Sequence, residues 1–315
     1  MSAPEPGLKS ISHEALADGP RLIVLGAVHG NETCGTHAIR RVLDEIDSGA
    51  IAVAAGAVTF VPITNPLAFE RHQRAGERNL NRSLFPKPAP ADFEDRIANR
   101  LCPLLARHDV LLDLHSTRGR AEPFALVGPR DNQGGFAHAR KERALARRLG
   151  VRRFVEGWLD TYTRGAERRK REGTGNAANA DPRYGVGTTE YMRSVGGYAM
   201  TLECGQHEDP AAVDVAYRAI RHTLAFLGMV REAAPAAVDD YEALRICEVF
   251  DRAHADDRFA REWASFDALK RGDVIGYRKD GTVLTAQADG RILFPDVGAL
   301  PGNEWFYVAE TVPEI

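Results

Sequence analysis

From residue 21 onward the chain alternates two apolar patterns. One is the short run. "RLIVLGAV" (21–28), "AVTFVPITNP" (57–66), "DVLLDLHS" (109–116) and "GYAMTLECG" (197–205) each predict a strand, the second stopped by Asn65-Pro66. The other is helical spacing. "TCGTHAIRRVLDEID" sets Ile39, Val42, Leu43 and Ile46 on one side, and "FEDRIANRLCPLLARH" does so with Ile97, Leu101, Leu104 and Leu105. "ARKERALARRLG", closed by Gly150, predicts an exposed basic helix, and "AAVDVAYRAIRHTLAFLG" a final amphipathic one. Strand followed by helix at this spacing implies an α/β fold: a mixed, mostly parallel sheet flanked by helices.

The pattern changes after "REAAPAAVDD" (231–240), which reads as a linker. Short strand-like pieces broken by Asp-Gly and Pro-Gly turns follow, so residues 240–315 are expected to form a small β-rich domain. Residues 160–188 are rich in Gly, Asn and Arg and show no apolar period. They predict a long irregular segment, either a lid over a site or a plain solvated insertion.

Composition narrows the function classes. With 41 Lys and Arg against 44 Asp and Glu, the net charge of −3 gives no electrostatic case for nucleic acid. No run approaches the ~18 apolar residues of a membrane span, and the first twenty residues lack an apolar core for a secretory signal. Cys34, Cys102, Cys204 and Cys247 are scattered, which suits reduced thiols in the cytoplasm. The expected partner is a small molecule, with neither nucleic acid nor membrane. A homo-oligomer stays open.

Chemistry gathers where the strands finish. "RLIVLGAV" runs into His29-Gly-Asn-Glu32, "DVLLDLHS" reaches His115, and "GYAMTLECG" reaches Glu203. Ligands of open parallel sheets bind outside the carboxyl ends of the strands, so these positions can converge. His29, Glu32 and His115 supply the two imidazoles and one carboxylate that a catalytic zinc takes, with one position left for water. If Glu32 begins the helix, His29 and Glu32 sit one turn apart. Taken singly, each has a plainer reading. His–x–x–Glu can be a polar turn, Glu32 can favour a helix N-terminus, and His115 can be an ordinary bonded histidine. Asp113 shares a strand face with His115 and either orients its ring or caps nearby backbone. Cys34, Cys204 and His207 compete as ligands, but added thiolates would close the site into a structural one. "NPLAFERHQRAGERNLNRSLFP" carries Arg71, Arg74, Arg78 and Arg82 with Asn79 and Asn81. Forked guanidinium groups there suit an acidic substrate.

"HGNET", "NP" followed by Arg, "LNRSLF", "DLHST" and "LECG", in this order, resemble the succinylglutamate desuccinylase/aspartoacylase family. The resemblance implies a zinc carboxypeptidase-like catalytic domain over residues 1–232 and a C-terminal β-rich domain over 240–315. It implies one Zn2+ per chain on His29, Glu32 and His115, with Glu203 as general base. It makes Arg74 the group that steadies the scissile carbonyl, and Asn81, Arg82 and Arg193 the grip on the substrate. The activity implied is hydrolysis of the amide of an N-acyl amino acid, N-succinyl or N-acetyl and acidic. Asn79 departs from the family, which usually has Asp there. Two other readings stand beside it: a zinc carboxypeptidase acting on peptides, and a non-catalytic binding protein on the same fold. The presence of Glu203 weighs against the second.

Overall fold

A computed structural model describes residues 7–130, 137–173 and 179–315. Its contacts divide into two compact units: residues 1–117, 122–154 and 186–241, and residues 118–121, 155–185 and 242–315.

The first unit opens with β1 (Ile11–Glu14), β2 (Arg21–Leu25), α1 (Cys34–Asp47) and β3 (Ala57–Val61). It continues through α2 (Pro66–Glu70), α3 (Phe93–Leu105), β4 (Val110–Thr117), β5 (Phe124–Leu126) and α4 (Ala139–Ala146). Strand β6 (Arg153–Glu156) lies where the division runs, and α5 (Trp158–Glu172) belongs to the second unit. The chain then returns for α6 (Thr188–Ser194), β7 (Tyr198–Gln206) and α7 (Ala211–Phe226).

The sheet of this unit runs β1-β3-β2-β4-β7-β5. The inner pairs β3–β2, β2–β4 and β4–β7 are parallel, and the flanking β1 and β5 are antiparallel. Leu22, Ile23, Val24 and Leu25 are all fully buried, as are Leu111, Leu112 and Leu114. Strands covered on both faces read as continuous apolar runs, which is why β2 and β4 are visible in the sequence. Ile23, Leu25, Val61, Leu111 and Ala199 pack with Phe93, Ile97 and Leu101 of α3 into one core cluster. Among the described residues no helix is long and apolar enough to cross a membrane.

The second unit contains β8 (Glu242–Asp251), β9 (Arg258–Phe259), β10 (Ala268–Leu269) and β11 (Val274–Tyr277), then β12 (Val283–Thr285), β13 (Gly290–Leu293) and β14 (Glu304–Thr311). Strands β8-β14-β13-β10 are neighbours, and β12-β11-β9 form a separate three-stranded antiparallel sheet. Their core is aromatic: Trp263, Trp305 and Phe306 with Leu269, Ile275 and Ile292.

The expectation of an irregular segment over residues 160–188 is corrected here. Residues 158–172 are helical, and only 174–178 of that stretch fall outside the described residues. Thr161, Tyr162, Gly165, Ala166 and Arg169 make the buried stripe. The spacing is helical, but the residues are not apolar. Arg169 is 1% exposed because Asp251 receives it at 2.9 Å (Nε to Oδ2) and 2.5 Å (Nη2 to Oδ1). A buried charge is tolerable when paired, and no periodicity count finds a partner 82 residues away.

Candidate metal centre

Beyond β2 the chain turns sharply. Gly26 N donates to Val61 O at 2.9 Å, and Ala27 takes a left-handed φ of 46°. His29–Glu32 closes as a turn, Glu32 N donating to His29 O at 3.1 Å, and α1 begins only at Cys34 behind its N-cap Thr33. Glu32 therefore precedes the helix. The turn, not helical spacing, aims both side chains at one point. The turn rests on α2: a Cβ on Gly30 would stand 2.0 Å from the carbonyl carbon of Ala68, so no larger residue fits.

His115 and Glu203 are opposite residues of the parallel β4–β7 ladder, while β2 has already ended at Leu25, opposite Asp113. That step leaves the ends of β4 and β7 facing the His29–Glu32 turn. The ligand-capable atoms of His29, Glu32 and His115 lie within 4.8 Å of one another, and each residue is 2% exposed. His29 Nδ1 is 2.8 Å from Glu32 Oε1, and His115 Nδ1 is 2.8 Å from Glu32 Oε2. Ser116 N donates to Oε2 at 3.2 Å. Arg74 Nη1 donates to Oε1 at 2.9 Å and lies 3.2 Å from His29 Nδ1, so a cationic group already stands among these atoms.

The outer ring nitrogens are also held. His29 Nε2 is 3.0 Å from Asn79 Oδ1. His115 Nε2 is 2.9 Å from Asp113 Oδ2, within ion-pair range but off the line of a hydrogen bond. Asp113 Oδ2 in turn accepts from Thr188 Oγ1. A ligand imidazole needs its second nitrogen fixed so that the first keeps its aim. Two Nδ1 atoms and a carboxylate, with the His29 ring bonded from behind by Asn79 and the His115 ring facing the Asp113 carboxylate, fit a divalent cation of the zinc type.

Charge follows this arrangement. Burial, and after it the Arg74 guanidinium, pushes His29 down to about 4, so its ring is neutral near pH 7. Burial works against a proton on His115, yet Asp113 and Glu32 outweigh it and hold that pKa well above the usual histidine range. Burial also opposes charge on Glu32, but the two histidines keep it well below the ordinary carboxylate value. Glu203 moves the other way. Burial and the Glu32 charge push it up to about 7, and its buried Oε2 has no hydrogen-bond partner among the described residues.

The thiols expected as rival ligands turn elsewhere. Cys34 Sγ donates to His115 O at 3.4 Å and Cys204 Sγ to Leu202 O at 3.6 Å. His207 Nδ1 is 2.9 Å from Ser116 Oγ.

The arginines divide by role. Arg74 reaches the cluster. Arg78 instead braces the loop, donating to Asp92 at 2.8 Å, Asp95 at 2.7 Å and the carbonyls of Asn79 and Arg82. Arg82 is buried and donates to Asn81 O at 2.8 Å. Asn81 Oδ1 accepts from Thr188 N at 2.8 Å.

Arg193, expected to grip a substrate carboxylate, is held in a different network. Its Nε and Nη2 donate to Glu142 at 2.9 and 3.0 Å, its Nη1 to Glu190 at 3.2 Å, and Nη2 also to Ala199 O at 2.7 Å. Glu142 is 0% exposed, and sequence spacing gave no sign of it. Removing one partner of such a pair strands the other charge. Arg193→Ala is expected to lower the unfolding free energy by ~3 kcal/mol, read as a shifted denaturant midpoint. A variant of unchanged stability whose KM rises would assign Arg193 to the substrate instead.

Three comparisons bear on this centre. Residues 18–156 match the family described as succinylglutamate desuccinylase/aspartoacylase catalytic domain. A succinylglutamate desuccinylase of Vibrio cholerae is 25% identical over 293 residues, which cover 92% of this chain and 80% of that one. The crystal structure of a succinylglutamate desuccinylase/aspartoacylase from Rhodobacter sphaeroides superposes with a TM-score of 0.72 at 17% identity, covering 98% of this chain and 90% of the other. The product-bound ectoine utilization protein EutE (DoeB) from Ruegeria pomeroyi gives 0.71 at 18% identity, with coverages of 96% and 88%. The fold is shared with both.

Proposed function

We infer, from the premise that the chain belongs to the succinylglutamate desuccinylase/aspartoacylase family, that it is a zinc-dependent hydrolase of the amide bond in an N-acyl amino acid. The observation that carries this reading is the buried Oε2 of Glu203, which has no hydrogen-bond partner among the described residues, on the strand beside His115. A carboxylate pushed up to about 7 is matched to moving protons near neutral pH.

His29, Glu32 and His115 would hold the zinc. Zinc in such a site supplies Lewis acidity, lowering the pKa of a water toward ~7 and polarising the acyl carbonyl. Glu203 accepts the proton of the attacking water and delivers it to the amine nitrogen as the C–N bond breaks. Arg74, whose Nη1 is held at the cluster by Glu32, is the proposed donor to the developing oxyanion. Asn81 and Arg82 are the proposed grip on a substrate carboxylate. The side-chain Oδ1 of Asn81 is taken by Thr188 N, so its Nδ2 hydrogens are the side offered to an anion.

The substrate class follows from the donors. N-succinyl and N-acetyl derivatives of acidic amino acids are the expected substrates, and the cytoplasm the expected compartment. The test is metal analysis of the pure protein, then a panel of N-succinyl, N-acetyl and N-formyl amino acids beside peptides with free C-termini. One zinc per chain and turnover of the acyl amino acids are expected. Preferential release of C-terminal residues from the peptides would replace this reading with a carboxypeptidase.

A further inference from the structure

Leu80 and Leu84, both fully buried in the core cluster, anchor the far end of the loop that carries Arg74 and Asn79. Residues 71–79 themselves bring only Ala75 as an apolar side chain, yet Arg74 and Asn79 arrive at the cluster within hydrogen-bond range. Beside the Arg78 ion pairs, what holds that stretch is one buried carboxylate. Glu94 lies in the first turn of α3 and is 0% exposed. Its Oε1 accepts from Gly76 N at 2.9 Å, Glu77 N at 3.2 Å and Asn65 Nδ2 at 2.9 Å. Its Oε2 accepts from Glu77 N at 3.2 Å and Arg78 N at 3.1 Å. Three consecutive backbone amides thus converge on one buried side chain. The grip is reciprocal, because Glu77 Oε2 accepts from Phe93 N at 2.5 Å, at the start of the same helix. Asn65 N-caps α2, its Oδ1 accepting from Ala68 N at 3.2 Å, so Glu94 also ties the loop to the helix on which the His29 turn rests.

The pinned triad sits between the loop's two working residues. Arg74 leaves the chain two residues before Gly76, and Asn79 one residue after Arg78. We propose that Glu94 is the positioning residue of the metal centre, fixing through Gly76–Arg78 where Arg74 meets Glu32 and where Asn79 meets His29. The proposal rests on reading His29, Glu32 and His115 as the metal site. An ionised carboxylate serves all of these donors because both of its oxygens only accept. A glutamine in its place turns an N–H donor toward other N–H donors, and part of the triad is released.

The test uses the full chain, stripped of metal by a chelator. Wild type, Glu94→Gln, Gly76→Ala, Asn79→Ala and the Glu94→Gln/Asn79→Ala double variant are compared. Gly76→Ala keeps Glu94 but sets a Cβ 2.7 Å from its Oε1, so it pushes the loop off the pin if Glu94→Gln fails to fold. Hydrogen exchange of residues 74–82 is followed by mass spectrometry in the metal-free protein, and the zinc dissociation constant by competition with a chromophoric chelator. In Glu94→Gln and Gly76→Ala the loop should exchange faster while the second half of α3 stays protected. Zinc should bind ~10-fold more weakly, as when an orienting contact behind a ligand is lost. That loss should shrink in the Asn79→Ala background, since Asn79 is the route to His29. A Glu94 that merely stabilised the fold would give the same loss in both backgrounds. Equal losses, or unchanged exchange and zinc binding in both single variants, would overturn the proposal. A wild type that takes up no zinc would instead sink the reading of the metal site.

Discussion

Glu203→Gln is expected to keep its zinc and its substrate affinity and to lose ~10²–10⁴-fold in kcat, the share a positioned acid–base group contributes. On the barrier that is ~3–5 kcal/mol. Glutamine copies the shape of glutamate, so the β4–β7 ladder that sets Glu203 beside His115 survives. What disappears is an oxygen able to take a proton. The same group should shape the pH profile. Glu203 works as the ionised form, so kcat/KM should fall as pH drops through its pKa. That pKa is about 7 without metal, and a nearby dication pulls it lower. The acid limb should therefore lie at or below pH ~7 in wild type, and Glu203→Gln should lose it. Steady-state kinetics with metal analysis of the same preparation checks both. A variant keeping more than about a tenth of kcat, a barrier change under ~1.4 kcal/mol, would take Glu203 out of the role.

Much of this centre is legible in the sequence, for a physical reason. Strands β2, β4 and β7 are buried on both faces, so each shows as a mostly apolar run, and the polar residues at or just past the ends of such runs stand out. His29, Glu32 and His115 are found this way, and the structure brings them together. Where side-chain partners decide the structure, the sequence is mute. The helix α5 is hidden because its inner stripe is Thr, Tyr, Gly, Ala and a charge-paired Arg169. Strand β5, three residues long, is too short for a periodic signal. Arg193 lies ten residues before Glu203, but nothing in that spacing points to the ion pair it makes with Glu142, 51 residues upstream. Asn79 is noticeable only as a departure from Asp; its place behind His29 emerges from the fold. Glu94 carries no sequence signal at all, being one acid among several at the start of a helix.

Replacing either of the proposed ligand histidines by alanine should abolish stoichiometric zinc, but the two variants should differ in the metal-free protein. Four-ligand zinc sites gain about 10–16 kcal/mol from the metal, so losing one of three protein ligands should weaken binding by ~4 kcal/mol, on the order of a thousand-fold. His29 is neutral at pH 7, and its neighbours are the amide of Asn79 and a carboxylate that Arg74 already serves. Removing it takes away a ligand and little charge compensation. His115 is the proton carrier of the cluster, lying between the buried carboxylates of Asp113 and Glu32. His115→Ala leaves those two acids facing each other without the cation, a change that costs ~3–5 kcal/mol in comparable buried pairs. The metal-free melting temperature should therefore fall clearly in His115→Ala and only slightly in His29→Ala. The same proton sets the pH dependence of metal binding. Zinc must expel it from His115, so zinc affinity in wild type should weaken as pH falls. Calorimetric melting of chelator-treated proteins, with zinc titrations at two pH values, reads all three outcomes. Stoichiometric zinc in His115→Ala would remove that residue from the ligand set. Equal melting of the two metal-free variants would show that His115 does not carry the charge between Asp113 and Glu32.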